Sequence, residues 1–304
     1  EAETARRLAP DARLFALDGL LPGAAAIFSA NDVAPVLASL DDIATWSAEA
    51  ARTGKRLPAG LQIDSGLNRL GLSEADVHTL ADEPARLDRV DLRLVMSHLA
   101  CADDPTHAHN ETQRANFDRL RAFLPPAPAS LAASDGLMLG ARFHYDLVRP
   151  GYALYGGQAF QGGPTPVRPA VTVEARVLQV RTLVPGDSVG YSATWRATRP
   201  TRLAVISAGY ADGFARALSA SSGQESGVVA IHGQRAPIVG RVSMDLITAD
   251  ITDLTTDVAP GDLATLVGPG LTIEAMGHAA GTIGYEVLTR LGPRFTRRYV
   301  GGAG

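Results

Sequence analysis

Polar side chains stand at the ends of several apolar runs in the first half of this 304-residue chain. The run "LRLVMSHL" ends at His98, "ASLAASDG" carries Ser134 and Asp135, and "LVRPGYALYG" contains Arg149. An unpaired cation inside an apolar run is costly, so Arg149 needs an acceptor from the protein or from a ligand. Ser134 and the following "RPGY" segment suit the phosphate site that (β/α)8 barrels build after their last strands.

Backbone groups extend this predicted phosphate site. The N–H groups of Gly151 and Tyr152 would face a phosphate at short range if the segment turns there. Considered alone, Gly151 would be an ordinary turn glycine. The prediction therefore depends on Ser134 and Arg149 lying beside it.

Lys55 raises a separate question, because it is the only lysine and the other 27 of the 28 basic residues are arginine. Lysine forms Schiff bases with carbonyl cofactors and substrates. Lys55, however, follows an amphipathic segment and precedes the run "LQIDSG". Active residues of barrels follow their strands. We therefore expect Lys55 to be an ordinary exposed residue.

Apolar runs alternate with amphipathic segments up to about residue 160. The predicted strands lie at 13–17, 35–39, 61–66, 92–99, 129–136 and 147–156, and the clearest predicted helices at 41–54, 73–83 and 110–124. This alternation is typical of a parallel α/β fold. Because a closed barrel needs eight strands, the sequence predicts a (β/α)8-type barrel that is N-terminally truncated, with about six βα units present and about two expected before residue 1.

The composition changes after the Gly- and Pro-rich segment 156–169. Beyond it, β-branched runs recur without helices of comparable length, until a closing run that predicts one or two helices and a final strand. This pattern predicts two domains, a partial barrel over 1–165 and a mainly β C-terminal domain over 166–304.

Composition excludes several classes of protein. A formal net charge of −4 and scattered basic residues give no nucleic-acid footprint. No apolar run reaches the roughly 20 residues that cross a bilayer. The single cysteine, Cys101, forms no intrachain disulfide and is typical of a cytoplasmic protein. The other histidines show no metal-ligand spacing, so we expect no metal site.

Six ordered blocks resemble bacterial alanine racemase: "QIDSGLNRLGL", "MSHLACAD", "LVRPGYALYG", "SAGYADGFAR", "APIVGRVSMD" and "GTIGYEVLTRLGPR". The resemblance covers essentially the whole chain. It implies a barrel joined to a β-rich domain and an isomerase that uses pyridoxal 5′-phosphate (PLP) to interconvert L- and D-alanine for peptidoglycan. It also implies a head-to-tail homodimer, in which one chain completes the other's site.

The resemblance assigns roles to individual residues. It implies that Arg149 donates to the pyridine nitrogen, and that Arg69 lies near the cofactor's phenolic oxygen and the substrate carboxylate. The implied phosphate contacts are Ser134, Gly151, Tyr152 and Tyr285. The residues implied to come from the neighbouring subunit are Tyr210, Met244 and Asp245.

Racemisation needs a proton-transfer group on each face of the substrate Cα. By resemblance, one group is Tyr210 and the other is a Schiff-base lysine in a Lys-Ala-Asn-Ala-Tyr-Gly block, which this sequence lacks. A tyrosine ionises near pH ~10 in water, so a base role needs nearby positive charge or hydrogen bonds. The resemblance implies that His98 and Arg149 supply them.

Three positions depart from the family pattern. Gln62 stands where many members have a lysine, so Arg69 needs a different partner. Ala133 replaces an asparagine of the phosphate-binding block, and Asp135 adds a negative charge beside the predicted phosphate site.

Two other interpretations remain open. Without its lysine the chain would be a non-catalytic or truncated racemase-like remnant that binds PLP weakly. A barrel-type PLP decarboxylase shares the architecture, but that class has a cysteine-containing substrate loop, and no cysteine follows Cys101 here.

Overall fold

The structure is a computed structural model that describes residues 1–164, 166–220 and 226–301. The chain forms two compact units. The first consists of Glu1–Gly151 with Phe160–Thr165, and the second of Tyr152–Ala159 with Pro166–Gly304.

The first unit is built on a parallel sheet whose strands are joined by helices. Its strands are β1 (Leu14–Ala16), β2 (Val33–Leu37), β3 (Leu57–Gln62), β4 (Val90–Met96) and β5 (Ala129–Ser130), adjacent in that order. Its helices are α1 (Ala2–Leu8), α2 (Ala24–Ala30), α3 (Leu40–Thr53), α4 (Glu74–Asp82) and α5 (His109–Arg121). The parallel pairing and the helix after each of β1 to β4 confirm the predicted barrel-type architecture.

Local sequence explains the helix boundaries in this unit. The Ser39 hydroxyl accepts a hydrogen bond from the Asp42 N–H at the start of α3, and Ser73 forms a capping box with Asp76 at the start of α4. Trp46 of α3 and Phe117 of α5 are fully buried against the sheet core. Helices α3 and α5 therefore each bury an apolar face, as the 3.6-residue period requires.

The predicted strand at 147–156 is wrong. The described residues of that segment contain a single parallel bridge between Ala133 and Arg149, followed by a short 3-10 helix over Tyr152–Tyr155. Pro150 has no N–H to donate to a sheet, so pairing ends at Arg149. The described residues of the first unit thus form five strands where six were predicted.

The second unit is mainly antiparallel β, as predicted. Its strands are β6 (Val173–Leu183), β7 (Ser188–Val189), β8 (Trp195–Arg196), β9 (Thr201–Ile206), β10 (Val228–Ile231), β11 (Gln234–Pro237), β12 (Ile247–Asp250) and β13 (Leu263–Val267). Six of them form one sheet in the order β11-β10-β13-β6-β9-β12, and β7 pairs with β8. Inward side chains such as Ile206, Val229 and Ile247 form its buried core.

Two helices, α6 (Ile273–Ala279) and α7 (Gly284–Arg290), follow β13. The predicted final strand does not form: the segment from 291 to 301 contains neither helix nor strand. Among the described helices, none is long and apolar enough to cross a membrane.

Candidate functional site

Arg149 lies at the carboxyl edge of the parallel sheet, with its guanidinium half-buried. Its Nη2 donates to the Ser97 carbonyl oxygen at 2.7 Å and to the Leu131 carbonyl oxygen at 3.3 Å, and its Nη1 donates to the Ser130 hydroxyl. Burial lowers the pKa of Arg149 to about 10. In the described part of the chain, no carboxylate forms an ion pair with this cation.

The sheet explains why these acceptors converge. Ser97 follows β4, Ser130 ends β5, and the Ser97 N–H donates to the Ser130 carbonyl at 3.0 Å. Neighbouring parallel strands end at the same edge, so their terminal polar groups meet. Ser97 also shares a 2.7 Å hydrogen bond with the buried Ser65 hydroxyl. The arginine is therefore fixed by neutral groups of a rigid sheet.

His98 stands beside this arginine, with its Nδ1 3.5 Å from the Arg149 Nη2. Burial, together with the positive charges of Arg149 and Arg69, lowers the pKa of His98 to about 4. The ring is consequently neutral at pH 7. A guanidinium has donors only, so this contact favours the tautomer in which Nδ1 accepts and the ring proton lies on Nε2.

Ser134 and Gly151 meet at the same edge of the sheet, as the sequence predicts. The Gly151 N–H donates to the Ser134 hydroxyl at 3.0 Å, and Ser134 is buried. A side chain at Gly151 would meet no atom within 4 Å, so the backbone here faces open space. Asp135 starts the 3-10 helix Asp135–Leu139, and Ala133 pairs through its backbone with Arg149.

Gln62 is buried and donates to the Leu70 carbonyl oxygen at 2.8 Å. It therefore binds the loop that carries Arg69 through the adjacent residue. Arg69 itself is exposed, and its charge is one of the three causes that lower the pKa of His98.

In the second unit, Tyr210, Met244 and Asp245 lie on two adjoining loops and are exposed. The Tyr210 N–H donates to the Ser243 carbonyl at 3.1 Å, and a side chain at Gly209 would overlap the Met244 carbonyl. The two loops are thus in direct backbone contact.

Arg294 joins the same two loops, and the sequence analysis missed it. Its Nη1 lies 2.8 Å from the Asp245 carboxylate and its Nε lies 3.2 Å from the Asp212 carboxylate. The hydrogen bond to Asp245 and the charge of Asp212 raise the pKa of Arg294. No sequence signal joins positions that lie 49 residues apart.

Tyr285 and Tyr152 form an aromatic stack in the second unit. Their ring centroids are 3.8 Å apart and their planes differ by 19°. Tyr152 is buried, whereas Tyr285 is 38% exposed. The Tyr152 hydroxyl donates to the Glu274 carboxylate at 2.8 Å. Glu274, like Ser97 and Ser130, was missed by the sequence analysis, because none of the three belongs to a distinctive motif.

Lys55 lies between α3 and β3, where its N–H donates to the Ala50 carbonyl at the end of the helix. It therefore precedes β3, at the edge of the sheet opposite to Arg149. Within the described residues, no group of three or more histidine, cysteine or acidic side chains is placed to hold a metal ion.

Comparisons with known proteins place both halves of the chain in one family. Residues 1–159 match the description "Alanine racemase, N-terminal domain", and residues 170–299 match "Alanine racemase, C-terminal domain". The alanine racemase of Methylobacterium sp. (strain 4-46) is 48% identical over 99% of this chain and 81% of its own length. The catabolic alanine racemase of Mesorhizobium japonicum is 47% identical over 95% of this chain and 74% of its own length.

A solved structure has the same fold. It is that of alanine racemase from Bartonella henselae with covalently bound pyridoxal phosphate, and it is 37% identical to this chain. The match has a TM-score of 0.91 and covers 99% of this chain and 83% of the other.

Proposed function

The chain belongs to the alanine racemase family, and we propose that it interconverts L- and D-alanine with PLP as cofactor. Such an isomerase supplies D-alanine for peptidoglycan, and we place it in the cytoplasm. One observation carries the proposal: a half-buried Arg149 cation, bound by neutral groups and with no carboxylate partner among the described residues, beside a neutral His98. This edge of the sheet can therefore bind a ligand that supplies a hydrogen-bond acceptor or a negative charge.

The residues of this edge fit the cofactor. When bound, PLP supplies an electron sink that acidifies the Cα–H bond of an amino acid. Arg149 would donate to the pyridine nitrogen, and because arginine keeps its protons at working pH, that nitrogen would stay unprotonated. The residues proposed to hold the phosphate are Ser134, Tyr285 and the backbone N–H groups of Gly151 and Tyr152. The hydrogen bond between the Gly151 N–H and the Ser134 hydroxyl supports this grouping, because it brings the two proposed phosphate contacts together.

Substrate binding is assigned to three further residues. Arg69 would bind the substrate carboxylate, and Met244 and Asp245 would border the side of the site near the Cα. We propose that 1–165 forms the cofactor-binding domain and that 166–304 supplies Tyr210, Met244 and Asp245 to a neighbouring copy in a head-to-tail homodimer.

Proton transfer on one face of the Cα is assigned to the Tyr210 hydroxyl of the second copy. The tautomer of His98 supports this role, because its Nε2–H is a donor that would stabilise a deprotonated tyrosine oxygen. Arg149 holds His98 in that tautomer. His98 and Arg149 would therefore act as a fixed donor chain for Tyr210.

We further propose that Lys55 is not the family's Schiff-base lysine, which has no counterpart among residues 1–304. Lys55 precedes β3, whereas the proposed site follows the strands. In the protein purified from its native source, Lys55→Ala should leave the rate of racemisation unchanged within about twofold, as is usual for a substitution at an exposed residue. A large loss of activity would contradict this assignment.

The test of the proposed function is the loss of optical rotation of L-alanine with added PLP. We expect the protein purified from its native source to racemise alanine. Residues 1–304 alone should bind PLP without the borohydride-sensitive absorbance near ~420 nm that lysine Schiff bases give. Carbon dioxide release in place of D-alanine would establish a decarboxylase. PLP binding without any reaction of the cellular protein would establish a non-catalytic remnant.

A further inference from the structure

A buried tyrosine lies directly beneath a proposed phosphate contact. The Tyr152 ring stacks on the Tyr285 ring at 3.8 Å, and both residues belong to the second unit. Tyr285 is partly exposed. The stack restricts the plane of its ring on one side, because a stacked aromatic pair favours a narrow range of ring planes.

Tyr152 is in turn fixed at its far end. Its hydroxyl donates to Glu274 Oε1 at 2.8 Å, and the same oxygen accepts the Gln158 N–H at 2.6 Å. Two donors on one carboxylate oxygen hold the acceptor in place. The Tyr152 hydroxyl therefore has a defined position.

The backbone around Tyr152 leaves room for this ring alone. A side chain at Gly157 or at Gly284 would overlap the Tyr152 ring or its hydroxyl. Gly284 is also the first residue of α7 and immediately precedes Tyr285. The contact of Tyr152 with Gly284 thus fixes the backbone that carries Tyr285 as well as its ring.

We propose that Tyr152 is a positioning residue for Tyr285. Anchored on Glu274 and packed against Gly284, its ring sets the plane of the Tyr285 ring and hence the location of the Tyr285 hydroxyl. This inference rests on the proposed function, in which Tyr285 contacts the cofactor phosphate. It adds a role for the Tyr152 side chain to the backbone role already proposed for that residue.

The test measures how strongly the protein prefers a phosphorylated ligand. Pyridoxine 5′-phosphate and pyridoxine differ by the phosphate and lack the aldehyde that reacts with lysine, so calorimetric titration of both reports the phosphate site. We expect Tyr285→Phe to reduce the preference for the phosphorylated ligand about tenfold, as expected for a hydrogen bond to a charged group. Tyr152→Leu should reduce it by roughly threefold to tenfold through the lost stack, with pyridoxine affinity unchanged.

A double-mutant cycle decides whether Tyr152 acts through Tyr285. If it does, Tyr152→Leu has no further effect on the preference in the Tyr285→Phe background. Additive losses from the two changes would overturn the proposal. If the leucine variant does not fold, Tyr152→Phe and Glu274→Ala replace it in the cycle. Each should reduce the preference for the phosphorylated ligand by less than Tyr152→Leu, and neither should reduce it further in the Tyr285→Phe background.

Two controls separate this inference from other failures. Leu266→Ala weakens the same core from β13, so it should lower the melting temperature without changing the ligand preference; an equal change in preference would show that Tyr152 acts only through stability. A wild-type protein that binds both ligands equally would contradict the proposed phosphate site itself. Wild-type preference combined with additive variants would contradict only the role of Tyr152.

Discussion

Two arginines, one in each unit, occupy opposite electrostatic environments. Arg149 is half-buried among carbonyl, hydroxyl and imidazole acceptors, and burial lowers its pKa to about 10. Arg294 is half-exposed between Asp212 and Asp245, whose carboxylates raise its pKa. The first cation keeps its charge for a ligand, whereas the charge of the second is neutralised by the fold. Burial without a neutralising carboxylate therefore distinguishes an arginine available to a ligand from one that only joins two loops.

The same substitution at both arginines gives the largest contrast. Arg149→Met removes a preorganised donor from the proposed site, so we expect the alanine racemisation kcat/KM to fall by roughly 10²–10³. Arg294→Met should lower it by less than about tenfold, since only loop positions change. Racemisation assays on both variants at saturating PLP check the contrast. Equal losses of kcat/KM in the two variants would show that neutral surroundings do not distinguish the functional arginine.

The neutral His98 beside Arg149 predicts a pH dependence of stability. The unfolded chain binds the histidine proton near pH 6.5, and the folded chain binds it only near pH 4. Between those values the unfolded state takes up more protons, so stability falls as the pH is lowered, by about 3 kcal/mol in total.

Urea unfolding at pH 7 and pH 4 tests this in the wild type and in His98→Gln. The variant should lose about 3 kcal/mol less than the wild type on acidification. The exposed His278 provides a matched control, and His278→Gln should keep the wild-type pH dependence. An unchanged pH dependence in His98→Gln would mean that His98 titrates normally in the folded protein.

Gln62 predicts an intermediate effect in the same unit. Gln62→Leu leaves the Leu70 carbonyl without its side-chain donor, so we expect unfolding to cost about 2 kcal/mol less. The looser loop should also let Arg69 move from His98, which raises the pKa of His98 as followed by NMR titration. Gln179→Leu, an exposed change on β6, should alter neither quantity. A stable variant with unchanged His98 titration would show that Gln62 does not hold this loop.

The smallest expected effect concerns the stability contribution of Arg294. Exposed ion pairs contribute little to stability and are screened by salt, so Arg294→Met should lower the free energy of unfolding slightly in low salt and by less at 1 M salt. Arg199→Met, which breaks the exposed pair with Asp253, is the matched control and should behave alike. A salt-independent loss larger than that of Arg199→Met would place Arg294 among buried structural groups.

The sequence predicts the architecture well where periodicity and capping agree. The predicted helix at 41–54 forms as Leu40–Thr53, and Ser73 begins the helix predicted at 73–83. The strand predicted at 61–66 lies instead at Leu57–Gln62. The sequence places its start too late, because a proline such as Pro58 is typical of a strand break. In the structure β2 pairs with β3 only from Gly60 onward, so the missing N–H of Pro58 costs no bond on that side.

The candidate site is predictable only in part. Short motifs contain Arg149, Ser134 and Gly151, and the structure brings these together because parallel strands end at one edge. The sequence does not show which acceptors hold Arg149, since Ser97 and Ser130 are small polar residues without a distinctive pattern. Nor does it show the stack of Tyr152 on Tyr285, whose partners lie more than 100 residues apart. Such contacts depend on tertiary packing, which local patterns do not encode.

Gly209 limits which substitutions the exposed face of the second unit can accept. Because a β-carbon at residue 209 would overlap the Met244 carbonyl, the loops bearing Tyr210 and Met244 pack backbone against backbone. Inserting bulk between them would displace both together. Laboratory selection for larger amino-acid substrates should therefore retain glycine at 209 and accumulate its changes in the side chain at 244.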